Sequence, residues 1–529
     1  MFIYLSIDYD HALKQHQPRI TQDDVAFYVN DAPGTIQAYV RRRDAYPKTY
    51  CQVSGDTLLL GYGSKNTPGK KRPEFLEIRL QSNGNLSIER DEYAVLPLFY
   101  GMSGNRFILS NSYAAVCDAF DTLTLSKKDF VDNLLPNTDA WPTLWEEVQI
   151  LGEREILHRQ NGHLAKQYPP NRAWHITADA PRTNPADFKQ LLEEVFEYSL
   201  QTYAPAGTKG VFEISGGLDS STMPLYTALH HPERQWLVHS LLLPGYEGET
   251  QQPKLEAIMS RMPGSSSVPV HMDDPELRLP LLSDAFQEGS EALFYASLNP
   301  GYGAQTEKAI PLLASRHAQV LFSGHGSDDL FGHFVGVKEQ LGYGSEEAER
   351  RLSNLPVMYT PAFASLLQAT ASHVPRRPLP LLPATAILPA SANSSFIEAG
   401  IWPVFPFLDS ELYTYCQGLP WTFRKNKRIL RTYQAAQKYP PVLFDQNLPN
   451  ERLGNFFGTI LAQPFYRELI EYYAQNSVVA AMGYIDIDKL LLFYNQGQDS
   501  FAIFHWLRTE MVVHRAMQSG KWRPVYVPH

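Results

Sequence analysis

The sequence predicts an α/β protein in which an antiparallel β domain is followed by a domain with a parallel sheet. Its 529 residues exceed what one hydrophobic core usually supports, so at least two domains are expected. Up to about residue 170, short alternating or apolar runs are separated by turn residues, whereas strands alternate with helices farther along. We expect domains at 1–176 and 186–529, joined by a linker rich in Pro, Thr, Asp and Asn at 177–185.

The first domain is predicted from short runs with strand character. Turn residues, such as Ser-Gly-Asp at 54–56 and Asn-Gly-Asn at 83–85, separate these runs, which is the pattern of antiparallel strands. The runs are FIYLSIDY, TIQAYV, DTLLLGYG, EFLEIRL, GNLSIER, YAVLPLFYG and NRFILSNS.

The second domain begins at 186–204, where apolar residues recur at helical spacing. From about residue 345 onward we expect mainly helices. A proline-rich stretch at 375–389 interrupts them, either as an ordered crossing segment or as a mobile loop over a site. Between these parts, strands at 211–217, 235–245 and 317–326 alternate with helices at 219–231 and 254–262, which predicts a parallel sheet covered by helices.

Composition and charge exclude some classes of function. The formal net charge is −10, so no general electrostatic field draws the protein to nucleic acid, and we expect no nucleic-acid partner. The three cysteines are widely spaced and fit no zinc site, which is typical of reduced thiols in a cytoplasmic protein. No segment approaches the roughly 18 apolar residues that span a bilayer, so no membrane association is expected.

The strongest local signal is the string SGGLDSS at 215–221, between a predicted strand and a predicted helix. Its two glycines let backbone N–H groups approach an anion, and the following helix directs its positive end to the same point. An aspartate inside a phosphate-binding loop implies Mg²⁺ between its carboxylate and the phosphate. The lysine of a Walker-type GxxxxGK(S/T) loop is missing, and a chance Gly-Gly turn is disfavoured by the complete string. The candidate phosphate contacts are Ser215, Gly216, Gly217, Asp219, Ser220 and Ser221.

A second loop of the same construction, SGHGSDDLFG at 323–332, follows an apolar strand. The carboxyl ends of parallel strands meet at one edge of a sheet, so both loops are expected to face one cleft. Asp219 and Asp328 would there hold one or two Mg²⁺ ions, with Ser323 and Gly324 near the nucleotide. Without the first loop, Asp328 would be interpreted as an acidic residue that stabilises a helix N-terminus and binds no metal.

These two loops and the segment VFPFLDSELYTYCQGLPWTFRKNKRILRTYQAA at 404–436 resemble the synthetase domain of the asparagine synthetase family. That family includes β-lactam synthetases and lasso-peptide cyclases. YAVLPLFYG and FILSNSYAAV are similar to the glutaminase half of the family, a domain of the Ntn type. The resemblance implies a PP-loop domain, similar to the adenine nucleotide α-hydrolases, that binds ATP and Mg²⁺. It places Lys427 at pyrophosphate and at the transition state, and Leu242 within the strand against which adenine rests.

Two departures from the family pattern narrow the expected reaction. Asparagine synthetases expose a cysteine nucleophile at the mature N-terminus, whereas Met1 is followed here by Phe2, which predicts a degenerate glutaminase domain with a structural role. His325 stands where asparagine synthetases carry Glu and β-lactam synthetases carry Tyr, and it is more similar to some lasso-peptide cyclases. An imidazole there is suited to removing a proton from an attacking amine, or it serves only to hold the loop.

The sequence therefore predicts an ATP-dependent ligase that adenylates a carboxylate, releases pyrophosphate and forms an amide, favouring an intramolecular cyclisation. The substrate would be a precursor peptide or a small amino-acid derivative, and a cyclase of the lasso type would act with a leader-peptide protease. Asparagine formation from ammonia, a β-lactam-type ligase and a catalytically inactive nucleotide-binding protein remain alternatives. NAD, GMP and argininosuccinate synthetases, sulfurtransferases and tRNA-lysidine ligases share the first loop but do not explain the other two segments.

Overall fold

The computed structural model describes a protein with two antiparallel sheets and one parallel sheet. The described residues are 3–8, 26–29, 36–40, 49–54, 57–63, 75–81, 85–90, 96–135, 143–152, 155–160, 163–167, 184–243, 245–271, 303–331, 352–371, 396–397, 399–445, 458, 461–462, 464–518, 520 and 522. The expected proline-rich interruption at 375–389, the residues Met1 and Phe2, and nearly all of the linker at 177–185 lie outside them.

Two six-stranded antiparallel sheets form the N-terminal part, as the alternating runs predict. Their strand orders are β10-β8-β9-β1-β3-β2 and β12-β11-β7-β6-β5-β4, and apolar residues of both sheets, including Leu5, Ile7, Leu76 and Ile78, lie in one hydrophobic core. The resemblance to a glutaminase domain stays a prediction. The strands are β1 Ile3–Asp8, β2 Ala26–Val29, β3 Ile36–Val40, β4 Thr49–Ser54, β5 Thr57–Gly63, β6 Phe75–Gln81, β7 Leu86–Arg90, β8 Phe99–Ser103, β9 Arg106–Ser110, β10 Val148–Ile150, β11 Ile156–Gln160 and β12 His163–Gln167.

The C-terminal part contains a five-stranded sheet in which every neighbouring pair is parallel, which confirms the predicted alternation of strands and helices. Its order is β15-β14-β13-β16-β17, so β13 and β16, which precede the two loops, are direct neighbours. The strands are β13 Gly210–Glu213, β14 Leu237–Leu242, β15 Ser266–His271, β16 Val320–Phe322 and β17 Trp402–Val404.

Helices surround this sheet and make up most of the described chain beyond residue 350, as expected. The helix expected at 254–262 instead begins at Gly245, continues through Pro253 and ends at Met259. The helices are α1 Tyr113–Asp118, α2 Lys127–Leu134, α3 Phe188–Tyr203, α4 Leu218–His230, α5 Gly245–Met259, α6 Gly303–Ser315, α7 Ser327–Leu330, α8 Pro361–Ala371, α9 Ser410–Gly418, α10 Trp421–Arg424, α11 Arg428–Ala436, α12 Pro464–Gln475, α13 Val478–Ala481, α14 Ile487–Asn495 and α15 Ser500–Gln518.

A second hydrophobic core crosses the predicted domain boundary. Side chains of α1 and α2 pack there with side chains of α8, α12 and α15. Polar groups reinforce the contact, because Arg508 Nη2 donates to the carbonyl oxygen of Asn133 at 3.0 Å and Tyr359 Oη donates to that of Leu134. The N-terminal domain is therefore joined to the C-terminal helices by packed surface as well as by the chain.

The structure bears on two further expectations, which concern the cysteines and membrane-spanning segments. Cys117 and Cys416 are buried, and neither forms a disulfide bond within the residues that the structure describes. Among the helices that the structure describes, none has the length and apolar content needed to cross a membrane.

Candidate active site

The first loop folds tightly on itself between β13 and α4. The Ser215 N–H donates to Ser220 Oγ at 3.1 Å, and the Gly217 N–H donates to Ser215 Oγ at 3.2 Å. Gly216 has a φ of +87°, a conformation that a residue with a Cβ atom rarely adopts. No side chain caps the N-terminus of α4, where helix N–H groups are suited to an anionic ligand.

The second loop touches the first through Gly324. A Cβ atom at Gly324 would lie 2.7 Å from the backbone nitrogen of Ser220 and 2.9 Å from the carbonyl carbon of Asp219. Only glycine therefore allows the two loops to approach this closely. The expectation that both loops meet at one edge of the sheet is confirmed by this contact.

The third segment packs against the second loop through Gly326. This glycine has a φ of +95°, and a Cβ atom there would lie 2.4 Å from Leu408 Cδ2 in the 3₁₀ turn Pro406–Leu408. Asp409 caps the helix that follows, since its Oδ1 accepts a hydrogen bond from the Leu412 N–H at 2.9 Å. Farther along, Arg424 Nε donates to the carbonyl oxygen of Leu330 at 2.8 Å, at the end of α7.

Lys427 closes the arrangement by contacting both acidic loops. Its ammonium donates a hydrogen bond to Asp219 Oδ2 and lies 2.5 Å from Asp328 Oδ1. Lys427 and the preceding Asn426 both have left-handed backbone conformations, with φ values of 56° and 55°. This conformation is uncommon for lysine and costs on the order of 1 kcal/mol or more, so surrounding contacts must hold it.

The charges of this cluster shift the titration of two of its members. Burial would lower the pKa of Lys427, but the carboxylates of Asp219 and Asp328 raise it above its ordinary value, so the amine stays protonated. Burial raises the pKa of Asp219, and repulsion by Asp328 adds to this, while Lys427 opposes both effects. The Asp219 side chain is 20% exposed and that of Asp328 is 41% exposed, so one end of the cluster reaches solvent.

The donor set fits a hard divalent cation. Among the residues that the structure describes, none forms a hydrogen bond with the buried Asp219 Oδ1, and the two carboxylates converge on one cationic group, the ammonium of Lys427. Carboxylate oxygens are the protein ligands that Mg²⁺ prefers, usually one or two together with phosphate oxygens. Within the described part of the chain, no group of three or more His, Cys, Asp or Glu side chains is arranged for a metal, so phosphate and water would have to supply the remaining ligands.

The other predicted site residues lie around this cluster. Leu242 ends β14 and is partly buried, while Ser323 follows β16 and its hydroxyl accepts from the His325 N–H at 3.4 Å. The His325 ring is partly buried and lies 6.0 Å from the ring of Phe405, measured between centroids. Ser221 is fully buried and its hydroxyl already donates to the Leu218 carbonyl oxygen, so Ser215 and Ser220 are the better candidates for contact with phosphate.

Comparison with known proteins gives little further support for an identity. No protein-family model and no curated protein matches the sequence. Among solved structures, the chain is similar to the U34-tRNA thiolase NcsA from Methanococcus maripaludis with its 4Fe-4S cluster. The alignment has 12% identity, covers 48% of this chain and 81% of the thiolase, and has a TM-score of 0.20, which is too low to support an argument about function.

Two buried glutamines complete the site and were not predicted from the sequence. On α11, Gln434 Nε2 donates to the Leu218 carbonyl oxygen at 2.9 Å and to Thr222 Oγ1 at 2.7 Å, which anchors the helix that begins after Lys427 onto α4. On α5, Gln251 Nε2 donates to the Ser215 carbonyl oxygen of the first loop at 2.8 Å. Gln434 shares the buried face of α11 with Leu430 and Tyr433. A polar residue on an otherwise apolar helix face is therefore the sequence feature that could have identified it.

Proposed function

We propose that this protein is an ATP-dependent ligase that adenylates a carboxylate, releases pyrophosphate and then forms an amide. The single observation that supports this best is the convergence of three distant segments on Lys427, Asp219 and Asp328. A glycine-rich loop at a helix N-terminus, two carboxylates and a lysine together are suited to an ATP triphosphate and its metal ion. The resemblance of the same segments to the asparagine synthetase family favours this reaction over other uses of ATP.

In the first step, an oxygen of the substrate carboxylate attacks the α-phosphorus of ATP. The bond from that phosphorus to the bridging oxygen of the β-phosphate breaks, which gives an acyl-adenylate and pyrophosphate. The N–H groups at the N-terminus of α4, the Ser215 and Ser220 hydroxyls and the ammonium of Lys427 offset the charge that spreads over the phosphate oxygens. Asp219 and Asp328 would hold Mg²⁺, which supplies further positive charge when it is bound.

In the second step, an amine attacks the acyl carbon, the carbon–oxygen bond to AMP breaks, and AMP leaves. The attacking nitrogen loses a proton, for which His325 is the proposed acceptor because it lies in the second loop beside Gly324. Lys427 would steady the charge on the departing phosphate. When both reacting groups belong to one molecule, the site needs only to orient them, which favours an intramolecular cyclisation.

ATP–pyrophosphate exchange that depends on a carboxylate substrate tests the first step. The wild-type protein should catalyse exchange and the Asp219→Ala variant should not. Release of phosphate instead of pyrophosphate would contradict the adenylate mechanism. Nucleotide binding without any turnover would favour the catalytically inactive alternative.

The His325→Ala variant tests the second step separately. Exchange should survive while amide formation slows by about 10²- to 10⁴-fold, the usual contribution of a general base. Equal loss of both steps would remove His325 from this role.

The substrate is tested by incubation with ATP and either aspartate plus ammonia or a candidate precursor peptide. A short precursor gene and a protease gene beside this one would favour the peptide.

A further inference from the structure

We propose that Gln251 is a positioning residue that fixes the distance between the SGGLDSS loop and the end of β14. This inference rests on the proposed function, in which the loop binds the triphosphate of ATP, together with the family resemblance, which implies that adenine rests against the strand that contains Leu242. The Gln251 side chain on α5 is buried, with 3% of the residue exposed. Its amide bonds backbone groups of both elements, so its effect on the site would pass through their backbone.

The amide of Gln251 makes three hydrogen bonds that join the two elements. Its Nε2 donates to the carbonyl oxygen of Ser215 at 2.8 Å and to that of Leu241 at 2.7 Å. Its Oε1 accepts from the Leu243 N–H at 3.2 Å. This one planar group therefore bonds the first residue of the loop and the two residues that flank Leu242 in the chain.

Only an amide suits this position. A primary amide carries two donors on nitrogen and an acceptor on oxygen, and all three functions are used here. A carboxylate of the same shape would place oxygen against the two carbonyl oxygens, and a thioether would leave them without a donor. Helix α5 is also close to the loop in this region, because a Cβ atom at Gly216 would lie 3.5 Å from Gln251 Cγ.

The consequence concerns how the two halves of ATP act together. Adenosine and triphosphate are joined covalently, so both can contribute fully to binding only when their subsites are held at the matching distance. Adenosine alone or tripolyphosphate alone occupies one subsite, so its binding does not depend on the distance between the two subsites. Loss of the Gln251 amide should therefore weaken the binding of ATP much more than the binding of adenosine or of inorganic tripolyphosphate.

The test is titration calorimetry on the full-length chain with three probes: ATP, adenosine and tripolyphosphate, each with Mg²⁺. For Gln251→Glu we expect ATP to bind about 10- to 100-fold more weakly, as for lost buried hydrogen bonds, while the other two probes change by less than about threefold. Gln251→Met should show the same pattern without an added charge. Gln252→Glu is the matched control, because Gln252 is exposed and its side chain donates to Glu256 in its own helix.

Each other result overturns the inference in a recognisable way. Unchanged ATP binding in both Gln251 variants would show that the amide does not set the distance. Equal weakening of all three probes would show a general structural role. If the wild-type protein binds none of the probes, the proposed function itself fails, whereas wild-type binding combined with either of the first two results contradicts only the role of Gln251.

Discussion

The ammonium of Lys427 forms an ion pair with the carboxylate of Asp219, although the two residues are 208 positions apart in the chain. Asp219 lies in the first turn of α4, and Lys427 immediately precedes α11 in a left-handed conformation. The Gln434 amide bonds the N-terminal turn of α4 from α11, so the two helices are fixed to each other beside the ion pair. This relationship brings the first and third motifs of the sequence into one site.

Replacing Lys427 with Met should abolish most of the proposed adenylation while the protein stays folded. The thioether keeps the length of the side chain but removes the charge that faces the phosphates, and loss of one such donor typically costs about 10²- to 10³-fold in rate. The rate of ATP–pyrophosphate exchange measures this. Lys425→Met is the matched control, because Lys425 is exposed in the same turn, and its exchange rate should equal that of the wild type. Normal exchange by Lys427→Met would remove Lys427 from the mechanism.

The two carboxylates should set the requirement for Mg²⁺. Asn in place of Asp219 or Asp328 keeps the shape but removes the charge, so each variant should need about 10- to 100-fold more Mg²⁺ for half-maximal exchange. A magnesium titration of the exchange rate measures the shift. Asp121→Asn, at an exposed position of the N-terminal domain, should leave the titration unchanged. A magnesium requirement equal to that of the wild type in both site variants would show that these residues do not bind the metal.

Gly324→Ala should damage the site in addition to destabilising the fold. The added methyl group would meet the backbone of Ser220, so the loops must separate, at a cost of about 1–3 kcal/mol for forced overpacking. We expect a lower melting temperature together with a higher ATP concentration for half-maximal exchange. In the control Gly483→Ala, nothing lies within 4 Å of the new methyl group and only the backbone φ of +80° is strained. That variant should lose stability but keep the wild-type ATP dependence.

Much of the fold and of the site could be predicted because it depends on local patterns. Alternating apolar runs gave the antiparallel strands, and the string at 215–221 indicated the turn from β13 into α4. Strands β15 and β17 were not predicted. Pro269 and Pro403 interrupt them, β17 has only three residues, and both lie at the edges of the sheet, where proline is tolerated.

The contacts that join the motifs could not be predicted from local patterns. The sequence analysis predicts Gly324 near the nucleotide but not the close approach of one loop to the other that this glycine allows. No motif in the sequence identifies Ser215 as a partner of Gln251 or Leu218 as a partner of Gln434, because these pairs are 36 and 216 positions apart. Tertiary contacts of this kind are set by the packing of whole helices.

The interface between the N-terminal domain and α15 should make stability depend on pH. His505 is buried at this interface, with its Nδ1 3.0 Å from the Asn133 carbonyl oxygen and 3.2 Å from Arg508 Nη2. Burial lowers the pKa of His505 well below its ordinary value, and the guanidinium of Arg508 lowers it further. The unfolded chain therefore binds a proton below a pH of about 6.5 that the folded protein does not bind.

The sign follows from this difference in proton binding. The free energy of unfolding should fall as the pH falls below about 6.5, by at most about 1.4 kcal/mol per pH unit from this one group. Urea unfolding at pH 7.5, 6.5 and 5.5 measures the slope. His505→Gln should be less stable at pH 7.5 but lose less stability on acidification, whereas His163→Gln, at an exposed position of β12, should retain the wild-type slope. His239, whose pKa burial also lowers, is present in both variants, so an equal slope in His505→Gln and the wild type would show that His505 does not couple the interface to pH.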